Sequence, residues 1–205
     1  MRNIPEPLKA VVDQFARLPG FGPKSALRAA MLMLKWPAAE TMRFGQAIAD
    51  LRSRLALCNR CGALADVDPC PVCADESRDR ASLCVVAEWD SMLTMEQGAF
   101  YRGQYFILGD FPAHLNNINN SINPDLPDLD RLDKRLSEGE ITELILGLGA
   151  TVEAENTASY ISNRMLARHP RISVTRLALG IPLGSEVKFM DSETLRQSMK
   201  HRQKL

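Results

Sequence analysis

The sequence Leu18-Pro-Gly-Phe-Gly-Pro-Lys-Ser-Ala-Leu-Arg28 sets the architecture of the N-terminal third of this chain. Apolar residues recur at helical spacing on both sides of it, which predicts one helix over 7–17 and a second over 23–34. Pro23 suits a first helical turn, because the N–H that proline lacks has no partner there. The sequence therefore predicts two helices joined by a tight glycine-containing turn.

This turn is also suited to bind a phosphate group. Gly20 and Gly22 leave the backbone open to a ligand, and the next helix begins with N–H groups that lack intrahelical partners. Lys24 and Arg28 lie one helical turn apart and add positive charge beside these amides. Phosphate contacts would hold DNA without reading its bases. The alternative is that the segment is only a turn between two helices.

Charge is distributed unevenly along the chain. The 205 residues carry 25 Lys and Arg against 25 Asp and Glu, so the formal net charge is zero. Residues 1–60 contain 10 basic and 4 acidic residues, whereas residues 61–205 contain 15 and 21. A basic N-terminal third favours a polyanionic partner, although a solvated helical surface has the same composition. We find no membrane-spanning apolar run and no signal peptide, which predicts a cytoplasmic protein.

Four of the five cysteines form two C-x-x-C pairs, Cys58 with Cys61 and Cys70 with Cys73. Each pair places two thiolates within reach of one ion, so together they predict a tetrahedral, structural zinc site. Metal binding would then contribute folding energy to a segment too short for a core of its own. A redox dithiol and chance spacing are the alternatives. The fifth cysteine, Cys84, lies in an apolar run and is predicted to fill the core.

The remaining sequence alternates between strand and helix patterns, after a third amphipathic helix predicted over 38–57. This alternation predicts a mostly parallel sheet covered by helices. Strands are expected over 83–87, 105–108, 141–148 and 172–179, and helices over 89–97, 130–137 and 153–166. A polar loop is expected over 109–128, a short extended piece over 187–191, and a basic terminal helix over 192–202.

Acidic residues follow the predicted strands. Ligand sites in parallel sheets lie at the carboxyl ends of the strands, where this sequence places Glu88, Asp90, Asp110, Glu153 and Glu155. Glu153 and Glu155 are placed to share a magnesium ion with Glu88. The other interpretation is that acids in the first turn of a helix interact favourably with the helix dipole.

With these features in order, the chain resembles the RecR family of bacterial recombination mediators along nearly its whole length. Besides the four paired cysteines, the resemblance rests on LPGFGPKSA (18–26), SRDRASLCVV (77–86), GAFYRGQYFILG (98–109), LDRLDKRLSEGEITELIL (129–146), TVEAENTASYI (151–161) and VTRLALGIPLGSE (174–186).

The resemblance implies an α+β protein in four parts. These are a helix–hairpin–helix DNA-binding domain (1–57), a four-cysteine zinc finger (58–80), a Toprim domain (81–180) and a C-terminal oligomerisation segment (181–205). It also implies a ring-like homotetramer that encircles DNA and works with RecO and RecF. Members of the family load RecA on gapped DNA and are not enzymes.

Individual positions follow from the same resemblance. Lys24 and Arg28 look like the family's DNA-contacting basic residues, and the four paired cysteines look like its zinc ligands. Glu153 and Glu155 match acids in a region that serves partner binding.

Three departures from the family pattern cluster on the Toprim face. Ala87 occupies the place of a glutamate that normally ends the first strand, unless a one-residue gap restores Glu88. The family's Gly-rich SPLDGIGP tract is replaced by an Asn-rich loop, and its ATNPTVEGE becomes GLGATVEAE at 147–155. These changes predict a divergent member with an altered Toprim face.

Two other functions fit some of these features. One is a magnesium-dependent Toprim phosphodiesterase or primase-like enzyme that uses Glu88, Glu153 and Glu155. The other is a diverged family member that serves as a protein–protein scaffold.

Overall fold

The computed structural model describes residues 4–109, 129–178 and 180–202. The chain divides into two compact units, Met1–Arg54 and Leu55–Leu205, each with its own apolar core. Asp110 and nearly all of the predicted polar loop lie outside the described residues. Among the helices described, none combines the length and apolar character needed to cross a membrane.

The first unit consists of the predicted helical pair and a third helix. These are α1 (Glu6–Phe15), α2 (Pro23–Met33) and α3 (Ala38–Arg54). Val12 of α1 packs against Ala26 and Ala30 of α2, and all three side chains are buried. The small alanines allow the two helices to approach closely, which fixes the turn between them.

Helix α3 joins this unit through an aromatic contact. The rings of Trp36 and Phe44 meet edge to face, with their centroids 5.8 Å apart. No residue of α3 is buried, and Met42, Ile48 and Leu51 are exposed apolar side chains on it. The helix ends at Arg54, before the predicted end at residue 57, because the chain next enters a short strand.

The second unit opens with a small hairpin that the sequence did not predict. Strands β1 (Ala56–Leu57) and β2 (Leu64–Ala65) pair antiparallel and are followed by α4 (Pro71–Ala74). Two-residue strands are too short to show an alternating pattern, so periodicity could not reveal them.

A four-stranded parallel sheet follows, as the alternating pattern predicts. It contains β3 (Ser82–Val86), β4 (Gln104–Ile107), β5 (Glu143–Leu146) and β6 (Ser173–Arg176), in the order β4-β3-β5-β6. Cys84 pairs with Tyr105 on one side and Ile145 on the other, which fixes the register of the sheet centre. Strands β3 and β5 are central, and β4 and β6 form the edges.

Three helices connect and cover these strands, α5 (Trp89–Gly98), α6 (Leu129–Ser137) and α7 (Val152–Arg168), and α8 (Ser192–Lys200) follows the last strand. The extended piece expected over 187–191 is wrong, because Val187–Phe189 forms a 3₁₀ turn. Its bonds are local: Phe189 N donates to Glu186 O over 3.0 Å. Asp191 then caps α8, so the segment leads into a helix instead of joining the sheet.

Strand β3 at the centre of the sheet is buried on both faces, and its alternate residues divide between them. Leu83 and Val85 belong to the core cluster that contains α6 and α7. Cys84 and Val86 belong to the cluster that contains the four paired cysteines and Met92 of α5. Burial on both sides explains why the strand is a continuous apolar run, and it confirms the prediction that Cys84 fills the core.

A buried carboxylate fastens α6 to α7. Asp133 accepts hydrogen bonds from Arg164 Nε (3.0 Å) and Arg168 Nη1 (2.6 Å), and His169 Nε2 lies 3.3 Å from its other oxygen. Hydrogen bonding to Asp133 is the main cause that raises the pKa of Arg164. One acidic side chain therefore satisfies three cationic or titratable groups at the end of α7.

We expect Asp133→Ala to lower the free energy of unfolding by about 3 kcal/mol, because it leaves the largely buried guanidinium of Arg164 without its buried acceptor. Asp130→Ala is the control: the Asp130 side chain bonds the same Arg164 but is 82% exposed, and its loss should cost about 0.5 kcal/mol or less. Chemical denaturation of the full chain measures both. Equal losses for the two variants would contradict this role of Asp133.

Candidate nucleic-acid interface and metal centre

The turn between α1 and α2 is open on its glycine side. Gly20 has φ +80°, in the left-handed region that other residues rarely adopt. A Cβ built on Gly20 or on Gly22 would meet nothing within 4 Å. Phe21, between them, stacks on Phe15 of α1 with the ring centroids 6.1 Å apart. The backbone is thus held in place on one side and accessible on the other.

The N-terminus of α2 has no side-chain cap. Gly22 occupies the N-cap position, Pro23 begins the helix, and the first turn contains no acidic residue. By contrast, side chains of Thr151 and Asp191 cap α7 and α8, and both helices begin with acidic residues. The first amides of α2 therefore keep the positive end of the helix dipole available to an anion.

Two cations stand beside these amides. Lys24 and Arg28 are both exposed and lie four residues apart, on the same face of α2. The buried Ala26 and Ala30 are rotated from them by about 200° around the helix, so the core and the cations occupy opposite faces. Within the described part of the chain, neither cation forms an ion pair. The structure brings together the four residues that the sequence proposes for DNA binding, namely Gly20, Gly22, Lys24 and Arg28.

The four paired cysteines converge on one point in the second unit. Their Sγ atoms all lie within 4.8 Å of one another, and all four residues are buried. Zinc–sulfur bonds of about 2.3 Å in a tetrahedron require sulfur atoms about 3.8 Å apart, and Cys61 Sγ lies 3.6 Å from Cys70 Sγ. The donor set and its spacing fit a closed structural zinc site with no position left for a substrate.

Two backbone turns shape this site. Cys58 N donates to Ala63 O and Gly62 N donates to Cys58 O, both over 2.8 Å, which closes the first turn around Cys58 and Cys61. Cys70 is the N-cap of α4, and Ala74 N donates to its carbonyl over 2.9 Å, so Cys73 lies on the first turn of that helix. Amides also point at sulfur: Ala63 N lies 3.4 Å from Cys61 Sγ. Such donors stabilise thiolates.

The thiols influence one another's protonation. Hydrogen bonds from the neighbouring cysteines lower the pKa of Cys58, against the opposing effect of burial. Hydrogen bonds of the same set, led by the bond to Cys58, raise the pKa of Cys61. A bound dication removes this competition, because all four sulfurs can then be thiolates. Cys84, which is outside the site, has its pKa raised to about 11 by burial and is an inert core thiol.

Hydrogen bonds link the two C-x-x-C segments through a pair of polar residues that the sequence analysis did not predict. The Asp68 carboxylate accepts a hydrogen bond from Asn59 N over 3.0 Å and a second from the Asn59 amide side chain. Asn59 lies inside the first pair and Asp68 lies two residues before the second, so the contact closes the loop between them. The sequence signals for this contact are limited to the asparagine next to Cys58 and the Asp-Pro pair just before Cys70.

The predicted acids of the sheet do not form a metal site in the structure. Glu88 is the residue before α5 and is exposed, and Glu155 pairs with Arg176 over 2.8 Å. Glu153 stands in the first turn of α7, where its own backbone amide and the Thr151 side chain lower its pKa. Among the described residues, the four cysteines form the single cluster of metal-ligating side chains. The contacts of Glu153 match the helix-dipole interpretation.

Substitution of one ligand should separate the metal site from the fifth cysteine. We expect Cys70→Ser to reduce bound zinc from one ion per chain to a small fraction and to lower the thermal unfolding midpoint, because three buried thiolates cannot close a tetrahedral site. Cys84→Ala, a change in the same core cluster, should keep one zinc per chain. Elemental analysis and thermal melts measure both effects. Full zinc in both variants would contradict the assignment.

Three family models match parts of this chain. The family model described as RecR helix-hairpin-helix matches residues 8–52, the RecR four-cysteine zinc finger domain matches 55–75, and the RecR C-terminal model matches 180–203. The second match assigns the four-cysteine site to structural zinc.

Curated relatives match over the whole chain. A protein named recombination protein RecR from Nitratidesulfovibrio vulgaris is 60% identical over 205 residues, with all of both chains covered. One from Maridesulfovibrio salexigens is 49% identical over the same length, again with both chains fully covered. A third, from Syntrophomonas wolfei, is 39% identical over 204 residues, which is 99% of this chain and all of the relative. By its domains and by full-length identity, this chain belongs to the RecR family and is a recombination mediator in DNA repair.

Proposed function

We propose that the protein holds DNA through the turn between α1 and α2, with phosphates at the free amides of α2 and with Lys24 and Arg28 beside them. The observation that carries this proposal is the N-terminus of α2, which has no side-chain cap and no acid in its first turn. An anion is the ligand that such a terminus favours. The exposed pair of cations supplies the electrostatic attraction that dominates binding to nucleic acid.

These contacts recognise the backbone of DNA and not its sequence. Amides and cations meet phosphates, which are identical at every nucleotide, so they set the position of the protein without specifying bases. This is the form of binding that a mediator needs on gapped DNA of any sequence. In the same proposal the protein has the four parts 1–57, 58–80, 81–180 and 181–205 and acts in the cytoplasm.

We further propose that several copies of the chain bind together, as a homotetramer around DNA. One supporting feature is the C-terminal segment, which leaves apolar side chains exposed at Leu183, Val187 and Phe189. These three side chains lie within seven residues of sequence, and clustered exposed apolar groups are typical of interaction surfaces. Linked copies convert several weak phosphate contacts into one strong attachment, since each further contact is made within an assembly already on the DNA.

The proposed role in repair is to help load RecA on gapped DNA together with RecO and RecF, without catalysis by this chain. Glu153 is an exposed acid at the start of α7, and Glu88 is an exposed acid between β3 and α5. We propose that these carboxylates, with Glu155, contribute to the surface that a basic face of a partner protein meets. The predicted alteration of this face relative to other family members stays a prediction.

Charge reversal tests the DNA contact. We expect Lys24→Glu combined with Arg28→Glu to weaken DNA binding at least about tenfold and to reduce the slope of log affinity against log salt by about 2 for duplex DNA. Fluorescence anisotropy with a labelled gapped duplex, measured over a series of salt concentrations, gives both numbers.

The matched control is Lys35→Glu combined with Arg43→Glu. These residues are also exposed and belong to the same unit, but Lys35 follows the far end of α2 and Arg43 is on α3. The control makes the same change in net charge and should alter affinity far less. If both pairs weaken binding equally, net charge and not the turn accounts for the attraction, and the proposal fails.

Substitution in the C-terminal segment tests assembly. Phe189→Glu should lower the solution mass, because a charge placed in an apolar interface must be desolvated without a partner. Val67→Glu replaces another exposed apolar residue, far from this segment in sequence, and should leave the mass unchanged. Light scattering coupled to size exclusion measures both. A Phe189→Glu protein with the parental mass would show that this segment is not the interface.

A further inference from the structure

The zinc-binding segment lies along the outer edge of the sheet. Strand β4 is an edge strand: one side pairs with β3, and its other side faces away from the sheet. Edge strands present a row of unpaired N–H and C=O groups, which natural proteins cover or block. Here the covering element is the chain between Cys58 and Arg78, whose helix α4 contacts β4.

The contact at the end of β4 involves a zinc ligand directly. Ile107 N donates to the carbonyl of Cys61 over 2.8 Å, and Ile107 O accepts from Arg131 Nη2 of α6 over 3.1 Å. The next amide points the other way, since Leu108 N donates to Val86 O of β3 over 3.0 Å. Two successive amides, at the last residue of β4 and at the residue after it, are therefore bonded to the zinc-binding segment and to the sheet, respectively.

The beginning of β4 is covered in the same way. Arg78 Nη1 donates to the carbonyl of Gly103 over 2.9 Å, and Asp79 N donates to Arg102 O over 2.9 Å. By the alternation of a strand, the backbone of Tyr105 also faces this side. Its side chain belongs to the same buried cluster as the four cysteines. Backbone and side-chain contacts thus run the length of β4.

The turn that contains Cys58 and Cys61 packs tightly against this edge of the sheet. Gly62 has φ +80°, and a Cβ there would lie 2.4 Å from Arg131 Nη2 and 3.2 Å from Ile107 O. From the same turn, Arg60 pairs over 3.7 Å with Glu138, the residue that follows α6. The turn that holds Cys58 and Cys61 is therefore attached to β4 and to α6 at once.

We propose that the zinc-binding segment is a metal-dependent cap on β4, and that loss of zinc opens this edge to the β4 strand of a second copy of the chain. The segment has two-residue strands and a four-residue helix, so its shape depends on the metal. Beneath it, β4 is the uncharged, aromatic sequence Gln-Tyr-Phe-Ile, with all four residues buried. Such a strand, once uncovered, is a template for strand pairing.

A second copy is the occupant that this edge favours. Two β4 edges related by a twofold axis present the same groups to each other, so one contact satisfies both strands. With no charged side chain in β4, nothing in the strand itself opposes this pairing. The proposal does not depend on DNA binding, because it concerns the second unit alone.

Residue-resolved hydrogen exchange of the full-length chain tests the cap, with zinc bound and after removal by a chelator. In dilute protein without zinc, we expect the Ile107 amide to exchange about tenfold faster or more, whereas Leu108 keeps its protection from β3. As concentration rises, the solution mass should increase beyond that of the zinc-bound protein, and Ile107 should regain protection. Added zinc should reverse both changes.

Three results would overturn the proposal. If Ile107 and Leu108 lose protection together, zinc holds the whole strand and not a cap on its edge. If Ile107 stays protected without any increase in mass, the cap does not need the metal. If Ile107 becomes exposed but mass never rises with concentration, the opened edge does not pair with a second copy. Cys84→Ala, treated identically, controls for loss of a buried thiol that does not bind metal.

Discussion

Four buried thiolates around one metal are the constraint on which the second unit depends. The segment that carries them has too little apolar surface to hold a shape alone, and its side chains join the sheet core beside Cys84, Tyr105 and Ile107. The metal therefore does more than close a loop. It fixes a turn whose carbonyl accepts a hydrogen bond from an edge strand, so Cys61 both binds the metal and holds the edge of the sheet.

The chain separates its tasks between its two units. The first is basic and presents an open helix terminus, which suits a uniform, negatively charged ligand. The second contains a parallel sheet with a buried central strand, β3, and the exposed acids Glu88 and Glu153 follow strands of this sheet, which suits contact with other proteins. The near-zero net charge of the whole chain hides this division.

Local patterns predicted much of this structure. Helical spacing gave α1 and α2, alternation gave the parallel sheet, and cysteine spacing gave the metal site, because each depends on residues close in sequence. The Asp133 contacts to α7 and the Arg131 contact to β4 join residues more than 20 positions apart, so no local pattern reports them. The position of Glu155 near the start of a helix was predicted from the sequence. Its ion pair with Arg176 was not, because that pair depends on where β6 lies in the sheet.

The uncapped start of α2 has a consequence for movement on DNA. If amides and two cations hold the strand, a shift by one nucleotide exchanges each phosphate for an identical one and leaves the energy of the contact unchanged. Such an attachment permits one-dimensional diffusion along the strand while it resists dissociation. The place where the protein comes to rest is then decided by junctions, strand ends and other bound proteins, and not by the base sequence beneath it.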